Sequence, residues 1–450
     1  MLTSFLCILV WSGYNSEIDY IMSPNWPDGF MNLIHGLRAF FPMVAAVMAA
    51  AQLAQRRSLP RWLGLGPLSL LFFYGVIGLA SSIFISPKPI VASYWALQYI
   101  SVIIVVMAVG SASDPEAHLA RFIATNWACC VALFLGLIVG IPVLGAGAVS
   151  QTAGSPLGVR AYGAPSILLG MAGSRNTGFG RFAAIVVILG LAHLLHSRKD
   201  RKTMFIWTPL MVIAGVALVL SQARTSWVSV LIAAAMLLMR ATTKLRVPFI
   251  MLATMALPLV FLTGFANSFV LYLTRMQGID LTLTGRTGTW MQALNLLPQS
   301  PWIGFGFWAD RYFLTGWRPG AANAQNTFVD ALVQSGVIGF IPFVLALLWV
   351  WVAILRFYST RPGKEVSSIP GEVLGIISFF TIYSITEITY SFYSVGLMAM
   401  APLFAHIQLR AYQYAQKRQK LWFPSGSIRS PGPMAPAKPG ALGGMRSEHS

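Results

Sequence analysis

The sequence predicts an all-α, polytopic integral membrane protein with about 11–12 transmembrane helices. Composition is the first indication: the 450 residues are 56% hydrophobic and only 10% charged, whereas about a quarter of the residues of a soluble domain are charged. The second is the arrangement of the apolar residues, which fall in runs close to the roughly 20 residues that a membrane-spanning helix needs. A mean hydropathy of +0.68 over the whole chain agrees with both.

The apolar runs place each element in order. Residues 1–29 hold a short apolar segment, 1–12, which is either the remnant of a first spanning helix or a helix lying in the membrane interface, and a polar lead-in. An N-terminal bundle follows over 30–265, then a long structured outward loop over 266–336, C-terminal helices over 337–407, and a basic tail over 408–450 that is expected to be disordered. Spans are predicted at 30–54, 63–85, 90–110, 119–143, 178–196, 204–220, 226–239, 247–265, 337–355, 373–388 and 391–407.

Basic residues set the orientation of these spans, because Lys and Arg accumulate in cytoplasmic loops. Clusters of them fall in alternate connections, at 56–61, 198–202, 240–246, 356–364 and 417–420. These connections are therefore predicted to face the cytoplasm, and the long loop between spans 247–265 and 337–355 faces outward.

The net charge of +18 lies mostly between apolar runs, so it indicates membrane orientation and not a nucleic-acid partner. The cysteines, Cys7, Cys129 and Cys130, all lie in apolar runs without the spacing of a metal site or a disulfide framework. They are predicted to pack as small apolar residues.

Some basic residues nevertheless face outward, and nearly all of them are arginine. The planar guanidinium suits bidentate phosphate recognition, whereas the lysine ammonium is a point charge. This set favours a phosphate-bearing lipid ligand; the alternative for any one member is a side chain that snorkels at a helix end. Its members are Arg38, Lys88, Arg160, Arg175, Arg181, Arg224, Arg275, Arg286, Arg311 and Arg318.

Arg224 is the first candidate for an anion contact. It lies in a very short outward turn, 221–226, where a cation sits at the hydrocarbon boundary and is costly unless it has a function. The alternative is a solvated turn residue.

The long outward loop contains two predicted helices and a turn. Thr284 can cap a helix over 285–297, which puts Arg286 at the anion-attracting N-terminus and Trp290 on the same face. Gly304 and Gly306 allow close backbone approach in the turn 301–306. Asn326 can cap a second, short helix that ends at Gly336.

Several motifs in this order resemble the O-antigen ligase and polymerase family of bacterial membrane glycan transferases. They are S-x-x-R at 221–224, G-R-x-x-x-W at 285–290, P-W-I-G-F-G-F at 301–307 and N-T-F-x-x-x-L-x-x-x-G-x-x-G at 326–339. Arg160 with Gly163, and the segment 174–178 that includes Arg175, resemble the family's earlier outward loop. The resemblance covers roughly residues 160–405.

The resemblance implies a metal-independent glycosyltransferase of the bacterial inner membrane, without a cofactor. Its donor would be a glycan on undecaprenyl diphosphate, taken at the periplasmic face, and its acceptor another glycan or a lipid-linked glycan. Carried over by position, Arg224 and Arg286 would hold the diphosphate, with Arg160, Arg175 and Arg318 as further contacts. Trp290, Asn326, Gly304 and Gly306 would position the loop and the acceptor.

One position departs from the family pattern. The family usually has a histidine before the asparagine of the last motif, as general base or acceptor-orienting group, and here this residue is Gln325. Glutamine does not transfer protons near neutral pH. Either Asp310 or Asp330 takes the role, or Gln325 only orients the acceptor hydroxyl; His35 beside Arg38 is a weaker candidate.

Three functions remain open from the sequence. The missing histidine favours polymerisation of exopolysaccharide or O-antigen repeat units over ligation of a polymer to lipid A core. A lipid-linked glycan transporter is the alternative of another class, but no acidic residue is predicted clearly in mid-span and no internal repeat is seen, as a transporter often has.

Overall fold

A computed structural model of the protein describes residues 1–14, 37–56, 60–144, 176–197, 200–221, 223–241, 286–309, 324–358 and 368–422. Throughout these ranges the regular structure is helical. The helices in chain order are α1 (Leu2–Ser12), α2 (Phe41–Ala54), α3 (Pro67–Phe84), α4 (Pro89–Gly110), α5 (Pro115–Leu144), α6 (Asn176–His196), α7 (Arg201–Leu220), α8 (Arg224–Ala241), α9 (Arg286–Leu296), α10 (Thr327–Ala353), α11 (Ile369–Tyr383) and α12 (Val395–Trp422).

The predicted fold class is confirmed: the chain is an all-α, polytopic membrane protein. Six of the described helices, α3, α4, α5, α6, α7 and α10, are long and apolar enough to cross a membrane. Helices α3 and α4 begin with Pro67 and Pro89, residues that fit the first helical turn because their missing N–H has no partner there anyway. The predicted span 247–265 lies outside the described residues.

The N-terminal apolar segment is helix α1, and it packs against α2 and α5. Its inner face buries Leu6, Cys7 and Val10, and the Trp11 indole Nε1 donates to Asn126 Oδ1 of α5 at 2.7 Å. Cys7 is thus packed among apolar side chains, as predicted for the cysteines.

The C-terminal helices differ from their predicted spans. The predicted spans 373–388 and 391–407 meet at residues where the structure has an irregular segment, because α11 ends at Tyr383 and α12 begins only at Val395. This stretch is rich in Ser and Thr, whose hydroxyls compete with helical hydrogen bonds.

Helix α12 also continues to Trp422, into the region predicted as a disordered tail from residue 408. Two contacts hold this extension. Arg410 forms an ion pair with Glu116 at 2.5 Å, and the Gln408 amide donates to the Trp62 carbonyl at 2.7 Å. Residues 423–450 lie outside the described part of the chain.

An aromatic cluster joins α3, α4 and α10. The Tyr74 ring of α3 lies 5.3 Å from Tyr99 of α4, 5.7 Å from Phe307 and 4.9 Å from Phe343 of α10, centroid to centroid. All four side chains are essentially buried. The cluster therefore fixes the turn that carries Phe307 between three helices.

Candidate active site at the outward helix ends

The start of α6 and the turn between α7 and α8 lie in direct contact. A Cβ atom on Gly180 of α6 would lie 2.4 Å from Ala223 Cβ and 2.8 Å from Ser221 Oγ, so only glycine permits this approach. Arg181 follows Gly180 and Arg224 follows Ala223, so the contact brings the backbones of two predicted outward arginines close together. The guanidinium carbon of Arg181 also lies 5.9 Å from the centre of the Tyr383 ring.

Two hydroxyl groups on α8 face the interior beside this contact. Ser226 and Ser229 are fully buried, and their Oγ atoms have no hydrogen-bond partner within the described part of the chain. Buried polar groups normally have a partner. Among the described residues, these two hydroxyls thus lie unpaired next to the start of α8.

Residues 384–394, here called the 384–394 segment, connect the starts of α8 and α10. Thr386 Oγ1 donates to Thr225 Oγ1 of α8 at 3.0 Å. The Thr327 backbone N–H of α10 donates to the Ser384 carbonyl at 2.9 Å, and its hydroxyl donates to the Glu387 carbonyl at 2.8 Å. Arg224 directly precedes Thr225, and Gln325 lies two residues before Thr327. The 384–394 segment therefore holds these two positions on either side of it.

Asn326 caps α10 as the sequence predicts. Its Oδ1 accepts from the backbone N–H groups of Phe328 at 2.8 Å and Val329 at 3.0 Å, while its Nδ2 donates to the Ile385 carbonyl at 2.9 Å. The preceding Gln325 has a backbone φ of +47°. This lies in the left-handed region, which residues other than glycine rarely adopt. Such strain is commonly found at functional sites, where the surroundings enforce it.

The helix that Asn326 caps breaks at Gly336, also as predicted, where φ is +58° and ψ is −168°. The break opens a gap that the turn 301–306 fills. Phe305 N donates to Val333 O at 2.9 Å and Gly306 N to Gln334 O at 2.8 Å, while Val337 N donates to Pro301 O at 2.9 Å. These bonds join the turn to both sides of the break.

Gly304 and Gly306 make this close packing possible. Both have positive φ, +69° and +88°, and added Cβ atoms would lie 2.5 Å from Gly336 N and 2.6 Å from Ser82 Cα. On the α3 side, Ser82 Oγ accepts from Phe307 N at 2.9 Å. The predicted close backbone approach is therefore to the protein's own helices α3 and α10.

Asp330 lies inside the protein and not at an open surface. It is 1% exposed; Oδ1 accepts from Gln334 Nε2 at 2.7 Å and Oδ2 accepts from the Ser391 hydroxyl at 2.5 Å. The Tyr74 hydroxyl donates to the Ser391 carbonyl at 2.7 Å and lies 2.9 Å from Gln334 Oε1. The carboxylate thus ties α10 to the 384–394 segment, and the Tyr74 hydroxyl ties α3 to both.

Helix α9 forms over the range predicted for the first loop helix, and it begins at Arg286. It packs on α10 through a small apolar cluster that includes Ala293, Leu296 and Val333. Trp290 is half-buried, and its Nε1 has no hydrogen-bond partner among the residues the structure describes. The packing places the second half of α9 beside the first turns of α10, the helix that Asn326 caps.

The structure describes only some of the predicted site residues. It includes the backbones but not the side chains of Arg224 and Arg286, and it places Trp290, Gly304, Gly306, Gln325, Asn326 and Asp330. The remaining candidates, His35, Arg160, Arg175, Asp310 and Arg318, lie outside the described residues.

Sequence reasoning did not select Glu387 as a site residue. Glu387 is partly exposed, its N–H donates to Tyr383 O at 3.0 Å, and its carbonyl accepts from Thr327. These bonds place the Glu387 backbone beside the start of α10. The available signal was an acidic residue among Ser and Thr between two apolar runs, where a charge is costly unless it is used.

A comparison with known protein families matches a part of the chain that contains several of these residues. Residues 209–344 match the family model described as O-antigen ligase. This part of the chain is thus similar to the O-antigen ligase family. The family domain includes Arg224, Arg286, Gln325, Asn326 and Asp330, whereas Arg181 and Glu387 lie outside it.

A relative of known designation is the exopolysaccharide production protein ExoQ of Rhizobium meliloti (strain 1021). The two chains are 33% identical over 91 residues. The matched stretch covers 18% of this chain and 21% of the relative, so it spans about a fifth of the relative's length. The resemblance inferred from the sequence motifs is thereby confirmed for the O-antigen ligase domain.

Proposed function

We propose that the chain is a glycosyltransferase of the bacterial inner membrane that polymerises exopolysaccharide or O-antigen repeat units at the periplasmic face. Its donor would be a glycan on undecaprenyl diphosphate, and its acceptor another glycan. The observation that carries the proposal is the 384–394 segment, which holds the starts of α8 and α10 together within and beside the O-antigen ligase domain.

In the proposed reaction an acceptor hydroxyl oxygen attacks the anomeric carbon of the donor sugar. The bond between that carbon and the diphosphate oxygen breaks, and undecaprenyl diphosphate leaves with both electrons of the bond. Arg224 and Arg286, assisted by Arg181, would stabilise the charge that develops on the leaving diphosphate. Arginine suits this role because it stays protonated and forms bidentate bonds to phosphate, so the step requires no metal ion.

Glu387 is our candidate for the group that accepts the proton of the attacking hydroxyl. Asp330 fits this role less well because both of its oxygens are engaged by internal donors. We assign Asp330 to holding Gln325 and Asn326 in place, and Gln325 to orienting the acceptor hydroxyl. Asp310 stays an alternative base on the sequence alone.

The test uses membranes or purified protein with a synthetic undecaprenyl diphosphate-linked repeat unit, and product length as the readout. Arg224→Ala and Arg286→Ala should each lower the rate on the order of 10²–10³-fold, and Glu387→Gln on the order of 10²–10⁴-fold. Arg201→Ala is the matched control, since Arg201 is exposed at the predicted cytoplasmic end of α7. Full activity of both arginine variants at normal membrane levels would refute the diphosphate assignment.

Ligation of a polymer to lipid A core is the second candidate, because the matching family model is described as O-antigen ligase. A deletion strain separates the two reactions. Accumulation of single undecaprenyl-linked repeats supports the polymerase, whereas long undecaprenyl-linked polymer beside unmodified core supports the ligase. If neither the lipid-linked glycans nor the core changes in the deletion strain, a lipid-linked glycan transporter becomes the favoured function.

A further inference from the structure

A second polar cluster lies at the opposite end of the bundle from the candidate active site. His193 is near the end of α6, about 18 Å along the helix from Arg181, and Glu372 is near the start of α11, about 16 Å from Tyr383. Both residues line a cavity of about 490 Å³ whose walls come from α5 and α7. By the predicted orientation, this cavity opens at the cytoplasmic side of the membrane.

Glu372 and His193 form a polar pair at the base of the cavity, and contacts to neighbouring side chains hold both residues in place. Glu372 is 3% exposed; Trp127 Nε1 donates to Oε2 at 2.8 Å and the Ser368 hydroxyl donates to Oε1 at 2.6 Å. His193 Nε2 lies 3.3 Å from Oε1, and its ring stacks on Trp207 with centroids 4.5 Å apart. The imidazole is 24% exposed, so it is the part of the pair that faces the opening.

The walls that α5 and α7 contribute to the cavity are lined mainly by aliphatic side chains. Ala124 and Ala128 of α5 are exposed on one side, and Ile206 and Leu210 of α7 line the other. The two alanines are four residues apart and share one helix face. Because their side chains are small, they leave space between α5 and α7. The volume lies within the range of roughly 300–1,000 Å³ that is typical of ligand pockets.

The charge of the described lining disfavours a ligand with a net negative charge. The lining residues that the structure describes include a carboxylate and two tryptophans but neither Lys nor Arg. A buried carboxylate is stabilised by a nearby cation, and tryptophan rings attract cations through their faces. Among the described residues that line the cavity, the one basic group beside Glu372 is the His193 imidazole, which is charged only when it is protonated.

We propose that this cavity, the His193–Glu372 groove, binds a membrane lipid of the phosphatidylethanolamine class. Its ammonium group would bind at the exposed edge of the polar pair, and its hydrocarbon chain would lie between α5 and α7. An ionisable pair within a membrane helix bundle is costly and is usually retained for a function. The charge preference is opposite to that of the arginine-rich outward end.

The experiment measures thermal unfolding of the full chain, purified in dodecyl maltoside, against the concentration of added lysolipid. Lysophosphatidylethanolamine should raise the unfolding midpoint in a saturable manner, since a ligand that binds only the folded state stabilises it. Lysophosphatidylglycerol of the same chain length should bind at least tenfold more weakly. Equal effects of the two lipids, or no effect of either, would overturn the proposal.

Variants locate the effect. Ala124→Leu fills the groove without touching the polar pair, and it should abolish the response to lysophosphatidylethanolamine. Glu372→Gln should weaken binding at least tenfold. Ala50→Leu is the matched control, because Ala50 is exposed on α2, a helix that contributes no residue to the cavity lining, and it should respond like the parent chain. A response retained by Ala124→Leu would mean that the lipid binds elsewhere.

Discussion

Replacing Gly336 by alanine should detach the turn 301–306 from α10. The φ of +58° and ψ of −168° at this residue belong to a region that is essentially restricted to glycine. An added Cβ would lie 2.3 Å from Trp302 C and 2.4 Å from Ile303 N, both of them backbone atoms. The methyl group therefore cannot be accommodated by rotating a side chain, and either the turn or the helix must move.

The cost can be worked from these contacts. Backbone strain of this kind costs about 1–3 kcal/mol. If the turn moves away, Val337 N loses Pro301 O at 2.9 Å and Ile338 N loses Trp302 O at 3.0 Å, each worth about 0.5–1.5 kcal/mol. The expected loss of unfolding free energy is thus about 2–6 kcal/mol, a large part of the roughly 5–15 kcal/mol of a typical protein.

Thermal unfolding in detergent and glycan polymer output, at matched membrane levels, together measure the effect. Gly336→Ala should lower both. Gly288→Ala in α9 is the matched control, because no atom of the described residues lies within 4 Å of its added Cβ and alanine favours a helix over glycine by about 0.8–1.0 kcal/mol. If Gly336→Ala unfolds at the parent temperature and keeps its polymer output, the joint between turn and helix is not needed and the reasoning fails.

Three further outcomes are expected. Tyr74→Phe removes the hydroxyl that donates to Ser391 O and should cost about 1–3 kcal/mol of unfolding free energy, whereas an unchanged midpoint would mean that the buried network is not stabilising. Asn326→Ala should cost about 0.5–2 kcal/mol, and Asn326→Asp, which keeps the capping oxygen, should cost less; equal losses would argue against the cap. A cysteine placed at Gly320 should react with an impermeant reagent in intact cells, and labelling only after membrane disruption would overturn the predicted orientation.

The helices and the caps were predictable because their signals are local. Runs of apolar residues indicate spans, and a capping residue such as Asn326 needs only the backbone that follows it. The break at Gly336 was predictable for a similar reason, since glycine after a short capped segment commonly ends a helix.

The 384–394 segment could not be predicted, because its structure depends on distant partners. Its hydropathy suggested two spans that nearly touch, yet Thr386 bonds to Thr225 and Ser391 to Asp330, far away in the chain. The hydroxyls favour these partners over helical bonds only when the other helices are present. The same dependence hid Glu387, whose position beside α10 follows from the Thr327 contact.

Two polar clusters at opposite ends of α6 and α11 can be tested independently. They lie about 16–18 Å apart along these helices, and substitutions at sites more than about 7–10 Å apart without shared partners usually have additive effects. Loss of polymer output in Arg224→Ala with a normal lipid response therefore reports on the outward site alone. Loss of the lipid response in Ala124→Leu with normal output reports on the His193–Glu372 groove alone, and loss of both in one variant would instead indicate that the bundle between them has unfolded.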